Sequence, residues 1–146
     1  MPSMSEKRRA IIVDLDGTYA LHRGRTPFQY HKARTDAVNP VVDRLVRLLR
    51  ADDPSLAVLI VSGREATPEC LSATYDWLTD HKIPYDSLLM RQEGDRRSDA
   101  IVKEEIYRGK IEPFYDVWSV LDDRNTVVAM WRQIGLTCLQ VANGDF

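Results

Sequence analysis

The sequence predicts an α/β fold, Rossmann-like, in which a five-stranded parallel sheet carries helices on both faces. Five short apolar runs rich in Val, Ile and Leu alternate with four segments whose apolar residues recur at helical spacing. Such alternation is typical of a parallel sheet with helical crossovers. The most polar groups of residues directly follow the apolar runs, and ligands of such sheets bind outside the carboxyl ends of the strands.

The first predicted strand is the apolar run over residues 11–13, and it leads directly into Asp14, Leu15, Asp16 and Gly17. Continuous apolar runs are typical of buried parallel strands. Because Gly17 interrupts the strand, we expect Asp14 and Asp16 to lie at its carboxyl end. Two acids this close repel each other unless a cation or a shared proton lies between them. The alternative is a solvated Asp-rich turn.

Residues 17–38 show neither helical nor strand periodicity, and we predict a long loop there. Between positions 22 and 34 this loop contains no acidic residue and four basic ones, which are Arg23, Arg25, Lys32 and Arg34. Loops of this length in compact domains are often functional. The alternative is a solvated basic loop with no binding role.

The remaining elements follow from the same two patterns. Asn39 and Pro40 supply a helix cap and a proline at the first helical position. The helices are predicted over residues 40–51, 68–82, 98–110 and 126–134, and the strands over 56–61, 87–90, 117–121 and 136–141. We expect the three tryptophans to pack in the core; they are Trp77, Trp118 and Trp131.

Length and composition predict one globular domain over residues 1–146, with 44% hydrophobic and 29% charged residues. The net charge of −2 does not indicate a nucleic-acid binder, so any phosphate-binding surface must be local. There is no apolar run of about 18 residues and no signal peptide, and we therefore expect a cytoplasmic protein without a membrane segment. Cys70 and Cys138 are expected to be reduced, packed thiols.

The polar residues at the predicted sheet edge suit phosphoryl chemistry. Four carboxylates, from Asp14, Asp16, Asp122 and Asp123, offer the oxygen ligands that Mg²⁺ prefers. Ser62 with the amides that follow it, together with Lys103, can donate to phosphate oxygens. A carboxylate nucleophile forms an aspartyl-phosphate, and a second acid nearby can protonate the leaving oxygen and later activate water.

These motifs resemble a known family. The sequence Asp14-x-Asp16-Gly17-Thr18, a strand ending in Ser62, then Lys103, then the acidic pair at 122–123, is similar to the four-motif signature of haloacid dehalogenase-type phosphatases. A closer resemblance covers residues 10–146 and is to the 3′-phosphatase domain of bacteriophage T4-type polynucleotide kinase/phosphatases. It is carried by VDLDGT, SGRE at 62–65, MRQEGDRRSDAIVKEEI at 90–106, LDDRNTVVAMWR at 121–132 and QVANGDF at 140–146.

The resemblance implies a role for each matching residue. Asp14 is the nucleophile and a metal ligand, and Asp16 is the general acid/base with its backbone carbonyl on the metal. Ser62 and Lys103 bind the transferred phosphoryl group, and Asp122 is expected to bind the metal directly with Asp123 beside it. Further positions line the family's active site and are expected to bind substrate: Arg25, Gly63, Arg64, Arg91 and Asp99. Arg64 could instead pair with Glu65 or Asp99 as part of the scaffold.

The resemblance implies a Mg²⁺-dependent polynucleotide 3′-phosphatase acting on DNA or RNA ends, as a monomer or a homodimer. The sequence lacks a phosphate-binding Gly-x-x-x-x-Gly-Lys-[Ser/Thr] motif, so we expect no kinase domain, and it leaves no room for a cap domain over the site. An aromatic residue of the loop, from Tyr19, Phe28 and Tyr30, could stack on a terminal base. No catalytic role is assigned to His22, His31 or His81.

Two alternatives remain open. One is a phosphatase for a small phosphomonoester such as a mononucleotide or a sugar phosphate. The other is a signalling receiver module, which also places acids and a lysine at the edge of a parallel sheet. A receiver needs its phosphoacceptor Asp at the end of the third strand, and Met90 and Arg91 stand there instead.

Overall fold

The computed structural model describes residues 6–22, 26 and 29–146. Strands and helices alternate along this part of the chain. In order they are β1 (Arg8–Val13), β2 (Ala20–Leu21), a 3₁₀-helix (Tyr30–Thr35), β3 (Ala37–Val38), α1 (Pro40–Asp52), β4 (Ala57–Glu65), α2 (Pro68–Asp80), β5 (Ser87–Arg91), α3 (Asp99–Ile106), a π-helix (Tyr107–Ile111), β6 (Tyr115–Asp122), α4 (Asn125–Gln133) and β7 (Cys138–Gln140).

The main sheet has five parallel strands in the order β5-β4-β1-β6-β7, which confirms the predicted fold class. The strand β1 lies at the centre, with β4 and β6 on either side. Val13, the last residue of β1, pairs with Ile60 of β4 and Leu121 of β6. The residues that follow these three strands therefore meet at one edge of the sheet.

Helices cover both faces of the sheet, as predicted. On one face, α1 and α2 pack against alternate strand residues, and on the other face α3 and α4 do so. The helix α1 begins where expected, because the Asn39 side chain accepts a hydrogen bond from the Val41 amide at 3.1 Å and Pro40 occupies its first position. Burial of Val42 and Val46 on the sheet contributes about 2 kcal/mol each.

The strand β4 continues to Glu65, beyond its predicted end at residue 61. Its pairing with β5 shifts at this end, because Ser62 pairs with Met90 while Glu65 pairs with Arg91. Gly63 and Arg64 thus form a bulge. Bulges redirect side chains next to active sites, and this one lies at the polar edge of the sheet.

The predicted long loop over residues 17–38 contains more structure than expected. In its described part, β2 and β3 form a small antiparallel pair, and the 3₁₀-helix is anchored to α2 by Arg34, which contacts Asp80 at 2.8 Å and Asp76 at 3.3 Å. Strands of two residues are too short to leave a periodic pattern. No cap domain is seen in the described residues between the Asp16 and Ser62 motifs. Of the loop's basic residues, Arg23 and Arg25 lie outside the described part.

The prediction that all three tryptophans pack in the core is wrong for one of them. Trp77 and Trp131 are fully buried, whereas Trp118 is 52% exposed. The reason is a register shift, since Ala10 of β1 pairs with Val117 and Ile11 pairs with Ser119. Trp118 is the extra residue of this bulge.

The prediction for the two cysteines is confirmed. Cys70 and Cys138 are buried and form no disulfide, and burial raises the pKa of Cys138 to about 11. A search of the described residues finds no helix that is both long and apolar enough to cross a membrane. The predicted helix over residues 98–110 is divided, because α3 ends at Ile106 and continues as the π-helix.

Candidate active site

A cleft of about 610 Å³ opens at the carboxyl ends of β1, β4 and β6. Its size is that of a small-molecule site. Most of the predicted site residues line it, and these are Asp14, Asp16, Gly63, Arg64, Arg91, Asp99, Lys103, Asp122 and Asp123. The predicted site residues come from distant parts of the sequence, and their side chains meet in this cleft.

Asp14 lies at the bottom of the cleft, directly after β1, and is 6% exposed. One carboxylate oxygen, Oδ1, accepts a hydrogen bond from Lys103 Nζ at 2.8 Å, and the other accepts one from the Thr18 hydroxyl at 3.0 Å. Burial and the neighbouring charge of Asp122 raise the pKa of Asp14 well above its usual range, while Lys103 acts in the opposite direction. Asp14 thus faces the cleft with a fixed orientation.

Lys103 reaches Asp14 from α3 and is itself 2% exposed. Its Nζ also donates to Asp122 Oδ2 at 3.0 Å, so one ammonium joins two carboxylates. Burial alone would lower the pKa of Lys103, but the charges of Asp14 and Asp122 raise it above its usual range. Lys103 is therefore a fixed positive charge beside Asp14.

The acidic pair after β6 differs in how its two members are held. Asp122 accepts hydrogen bonds at both oxygens, from the Asp123 amide at 2.8 Å and from Lys103 and Trp131 Nε1 at 3.0 and 3.2 Å. Asp123 accepts a longer one, 3.4 Å, from the Thr18 hydroxyl, and its side chain lies against Gly17. Gly17 has a φ of +83°, and a side chain there would collide with the Asp123 carboxylate.

Three carboxylates could hold a metal ion at this position. Oxygens of Asp14, Asp122 and Asp123 lie within 4.8 Å of one another, and all three residues are buried. Burial raises the pKa of Asp123 as it does that of Asp14. Lys103 neutralises one of the three negative charges, so the donor set fits a hard divalent cation, which oxygen ligands prefer.

Asp16 lies on the wall of the cleft and is held by side chains from elsewhere in the fold. Arg64 donates to its two oxygens from Nε at 2.9 Å and Nη2 at 2.7 Å, and His22 Nε2 lies 2.8 Å from Oδ1. Burial alone would raise the pKa of Asp16, but the hydrogen bonds of Arg64 and His22 lower it below its usual range. Arg64 is bonded in turn to Thr74 and Asp36, at 2.9 and 3.2 Å.

Arg64 thus pairs with Asp16 and Asp36 rather than with Glu65 or Asp99, the partners suggested by the sequence. Ser62 is fully buried and does not line the cleft. Its hydroxyl oxygen accepts a hydrogen bond from the Arg64 amide at 3.1 Å, so in this structure it supports the bulge of β4. Its role in phosphoryl binding stays a prediction.

A second set of charged residues lines the upper part of the cleft. The Asp99 carboxylate lies between Arg91 Nη2 and Arg124 Nη1, the latter at 2.8 Å. Arg91 also donates from Nε to the Gly63 carbonyl at 2.8 Å and from Nη1 to two further backbone carbonyls. The contacts of Arg91 therefore fix the loop between β5 and α3 to the bulge of β4.

Several residues of the site were not assigned roles from the sequence, among them Thr18, Leu21, His22, Arg124 and Phe146. His22 follows β2, and it reaches Asp16 because the chain turns back at Gly17. Arg124 and Phe146 meet only because the segment 141–146 folds back on the loop after β6. Thr18 could have been identified, since it belongs to the Asp14-x-Asp16-Gly17-Thr18 motif. Arg25, predicted to bind substrate, lies outside the described residues.

Comparison with known proteins agrees with this arrangement. The family described as the polynucleotide kinase PNKP phosphatase domain matches residues 8–146. The chain belongs to this family. The match confirms the resemblance to haloacid dehalogenase-type phosphatases of the polynucleotide kinase/phosphatase group.

Individual relatives agree with this family assignment. The "Putative bifunctional polynucleotide kinase/RNA ligase" of Autographa californica nuclear polyhedrosis virus is 30% identical over 129 residues, which are 86% of this chain and 18% of the viral protein. A chain of the solved Pnkp1/Rnl/Hen1 complex is 39% identical with a TM-score of 0.90, over 97% of this chain and 48% of that one. A chain of a solved Pnkp1/Rnl/Hen1 RNA repair complex is 38% identical and also has a TM-score of 0.90. The match covers 100% of this chain and 46% of that one.

The chain matches only part of the length of these relatives. It spans about half of the matched chains in the two complexes and less than a fifth of the viral protein. The HAD domain of the effector Lem4 from Legionella pneumophila is 11% identical with a TM-score of 0.56, over 97% of this chain and 89% of that one. At this identity the likeness shows the common fold alone.

Proposed function

We propose that the protein is a polynucleotide 3′-phosphatase, which removes a 3′-terminal phosphate from nucleic acid and leaves a 3′-hydroxyl. The observation that carries the proposal is the position of Asp14 in a member of this phosphatase-domain family. Its carboxylate is buried at the bottom of the cleft and touches Lys103 Nζ at 2.8 Å. The absence of a cap in the described residues supports a substrate that continues beyond the cleft, such as a polymer end.

In the first step, an Asp14 oxygen attacks the phosphorus, the bond from phosphorus to the 3′-oxygen breaks, and an aspartyl-phosphate forms. Asp16 gives its proton to the departing 3′-oxygen. In the second step, Asp16 takes a proton from water, and the water oxygen attacks the phosphorus, which releases inorganic phosphate and restores Asp14. Lys103 stabilises the negative charge that develops on the phosphoryl oxygens.

The structure fits the second step more directly than the first. Arg64 and His22 hold Asp16 in the ionised form, which is the form that accepts a proton from water. To act as an acid, Asp16 must first be protonated. We infer that Asp16 takes up this proton when the substrate phosphate brings its negative charge into the cleft, since a nearby negative charge raises the pKa of a carboxyl group.

We propose that Mg²⁺ is bound by Asp14, the backbone carbonyl of Asp16 and the acidic pair at 122–123. When bound, it supplies positive charge to the phosphoryl oxygens and offsets the repulsion between phosphate and carboxylates. Within the pair, the hydrogen bonds favour Asp123 as the direct ligand. Both oxygens of Asp122 already accept short hydrogen bonds from the protein.

We propose the class of substrate on the basis of the relatives. The name of one solved complex, an RNA repair complex, supports RNA ends as substrates, with DNA ends as an alternative. A single phosphatase domain over residues 1–146, acting without a kinase domain, stays a prediction. So do the cytoplasmic location and the oligomeric state, monomer or homodimer.

The test is the release of inorganic phosphate from an oligonucleotide that carries a 3′-phosphate, in the presence of Mg²⁺. We expect the wild type to convert it to a 3′-hydroxyl end and Asp14→Asn to be inactive while keeping its circular dichroism spectrum. Beryllium fluoride should form its adduct on Asp14. The matched substrates are the same oligonucleotide with a 5′-phosphate, and a free nucleoside 3′-monophosphate. Efficient cleavage of the mononucleotide alone would instead favour the small-molecule phosphatase.

A further inference from the structure

The segment 141–146 is fixed against the loop that carries the acidic pair. The Val141 amide donates to the Asp122 carbonyl at 3.1 Å, and the Gly144 carbonyl accepts from the Asn125 amide at 2.9 Å. A side chain at Gly144 would overlap the Asp123 backbone carbonyl, so the two segments are in direct contact. The position of residues 144–146 is thus set by the loop that carries the proposed metal ligands.

This segment places the ring of Phe146 in the cleft, where it is 67% exposed. Despite its exposure the ring has a defined position. The Arg124 guanidinium lies 5.2 Å from the ring centroid, and Arg124 Nε donates to the Phe146 carbonyl at 3.0 Å. Cation–π contacts of this kind orient a ring.

The geometry points to Phe146 as a stacking surface for the base of the terminal nucleotide. With the phosphate at Asp14 on the bottom of the cleft, the attached nucleoside must extend towards residues that line the rest of the cleft, and the Phe146 ring is one of them. Stacking on an aromatic ring is favourable for every base. The inference rests on the proposed function and adds to it that the enzyme senses the terminal base as well as the phosphate.

Apolar surface lies beside Phe146 in the cleft, and the nearby charged side chains are paired with each other. Arg124 is paired with the Asp99 carboxylate at 2.8 Å, and Asp99 is also paired with Arg91. Leu21, which is 37% exposed, lines the same cleft and adds apolar surface. The ring therefore has an apolar neighbour and lies beside a guanidinium that is already engaged by a carboxylate, as expected for an aromatic surface that contacts a base.

The aromatic residues suggested by the sequence do not supply this surface in the described part of the chain. Tyr19 is fully buried, and its hydroxyl donates to Asp43 at 2.5 Å. Phe28 and the side chain of Tyr30 lie outside the described residues. Phe146, which had no role in the sequence-based interpretation, is the described aromatic side chain that lines the cleft.

The test compares two oligonucleotides with a 3′-phosphate that differ only at the terminal nucleotide, one with a normal base and one with a stable abasic analogue. For the wild type we expect kcat/KM to be on the order of 10-fold higher with the base present, mainly through KM. Phe146→Ala should bring this ratio close to one, and Phe146→Trp should preserve it. The control is Phe114→Ala, because Phe114 is 56% exposed and does not line the cleft; the ratio should not change.

Each result decides the inference. A wild-type ratio near one, or an unchanged ratio in Phe146→Ala, would overturn the stacking role and leave the proposed function intact. If Phe146→Ala misfolds, Phe146→Leu gives the answer, since an aliphatic side chain that keeps the full ratio would rule out stacking. Failure of the wild type to dephosphorylate either oligonucleotide would overturn the proposed function, and this inference with it.

Discussion

Arg64 holds the carboxylate of Asp16 with two nitrogens, Nε at 2.9 Å and Nη2 at 2.7 Å. The guanidinium is 1% exposed and is fixed by Thr74 and Asp36 at its other positions. The second acid of the Asp14-x-Asp16 motif is thus oriented by a residue of β4. This contact orients the Asp16 carboxylate and also lowers its pKa.

The contact predicts a change in the pH profile when Arg64 is replaced by lysine. Lysine keeps the charge but cannot bind a carboxylate with two nitrogens in a plane. We expect kcat/KM for a 3′-phosphorylated oligonucleotide to fall by about 100-fold, as for a misplaced catalytic group. Since Arg64 lowers the pKa of Asp16, its loss raises that pKa, and the alkaline limb of the profile, where Asp16 loses the proton that it gives to the 3′-oxygen, should move to higher pH. Arg47→Lys is the control, because Arg47 makes an exposed pair with Asp43 on α1.

Asp16 should also make stability depend on pH in a defined direction. Its pKa in the folded protein lies below the value in the unfolded chain, which is about 3.9. Its contribution is therefore fully present above pH 4–5 and is lost as the pH falls below about 4. Urea unfolding should show Asp16→Asn to be less stable than wild type by about 1–2 kcal/mol at pH 7, with a smaller difference at pH 3.

The matched variant for this measurement is Asp116→Asn. Asp116 is an exposed acid on β6 that does not line the cleft. Its stability difference from wild type should be within about 0.5 kcal/mol at both values of pH. A difference for Asp16→Asn that grew towards pH 3 would contradict the direction of the pKa shift.

The three buried carboxylates predict that the metal-free protein is destabilised by its own site. Ionised Asp14 and Asp123 repel each other and Asp122, and Lys103 compensates one charge. In EDTA we expect Asp123→Asn to have a higher Tm than wild type. On addition of Mg²⁺ the wild-type Tm should rise, and the rise should be mostly lost in Asp123→Asn.

Phosphatase activity should also depend on Mg²⁺: we expect no turnover in EDTA and restored turnover when Mg²⁺ is added. Asp122→Asn is the variant to compare with Asp123→Asn, because it changes the carboxylate that accepts hydrogen bonds from Lys103 and Trp131. It should lower the Tm in EDTA. If Asp122→Asn abolished the Mg²⁺-dependent rise while Asp123→Asn kept it, Asp122 would be the direct ligand, as the sequence first suggested.

Much of this architecture could be predicted from the sequence, because the strands and helices have strong periods and clear caps. The run over residues 11–13 and the cap at Asn39 are local signals, and both are confirmed. The register shifts are not local. Trp118 became exposed through a bulge in β6, and Arg64 turned towards Asp16 through a bulge in β4. Neither bulge has a sequence signal as clear as a helix cap.

The same distinction applies to the site. Asp14, Lys103 and Asp122 could be named in advance because parallel strands bring their carboxyl ends together and the motifs follow those ends. His22 and Phe146 could not, because each reaches the cleft through a turn in the chain whose direction depends on tertiary contacts. Ser62 was expected to face the cleft but is fully buried beneath the bulge of β4.

The basic segment over residues 22–35 predicts that capture of a polymer depends on salt. Arg34 is engaged with Asp76 and Asp80, whereas the Lys32 side chain is exposed. Backbone phosphates that meet Arg23 and Lys32 would release counterions on binding, so added salt would weaken binding. We expect kcat/KM for a 3′-phosphorylated oligonucleotide to fall more steeply with NaCl than kcat/KM for an aryl phosphate, which lacks a backbone.

Neutralising Arg23 and Lys32 together to glutamine should reduce this difference in salt dependence, because each phosphate contact that is lost lowers the slope of log kcat/KM against log salt by about one unit. Lys110→Gln is the control, since Lys110 is exposed on the π-helix and does not line the cleft. Arg25 is kept intact because it is predicted to touch the reacting phosphate. If the oligonucleotide and the aryl phosphate responded equally to salt in the wild type, the basic segment would have no part in binding the strand, and a small phosphomonoester would become the better candidate substrate.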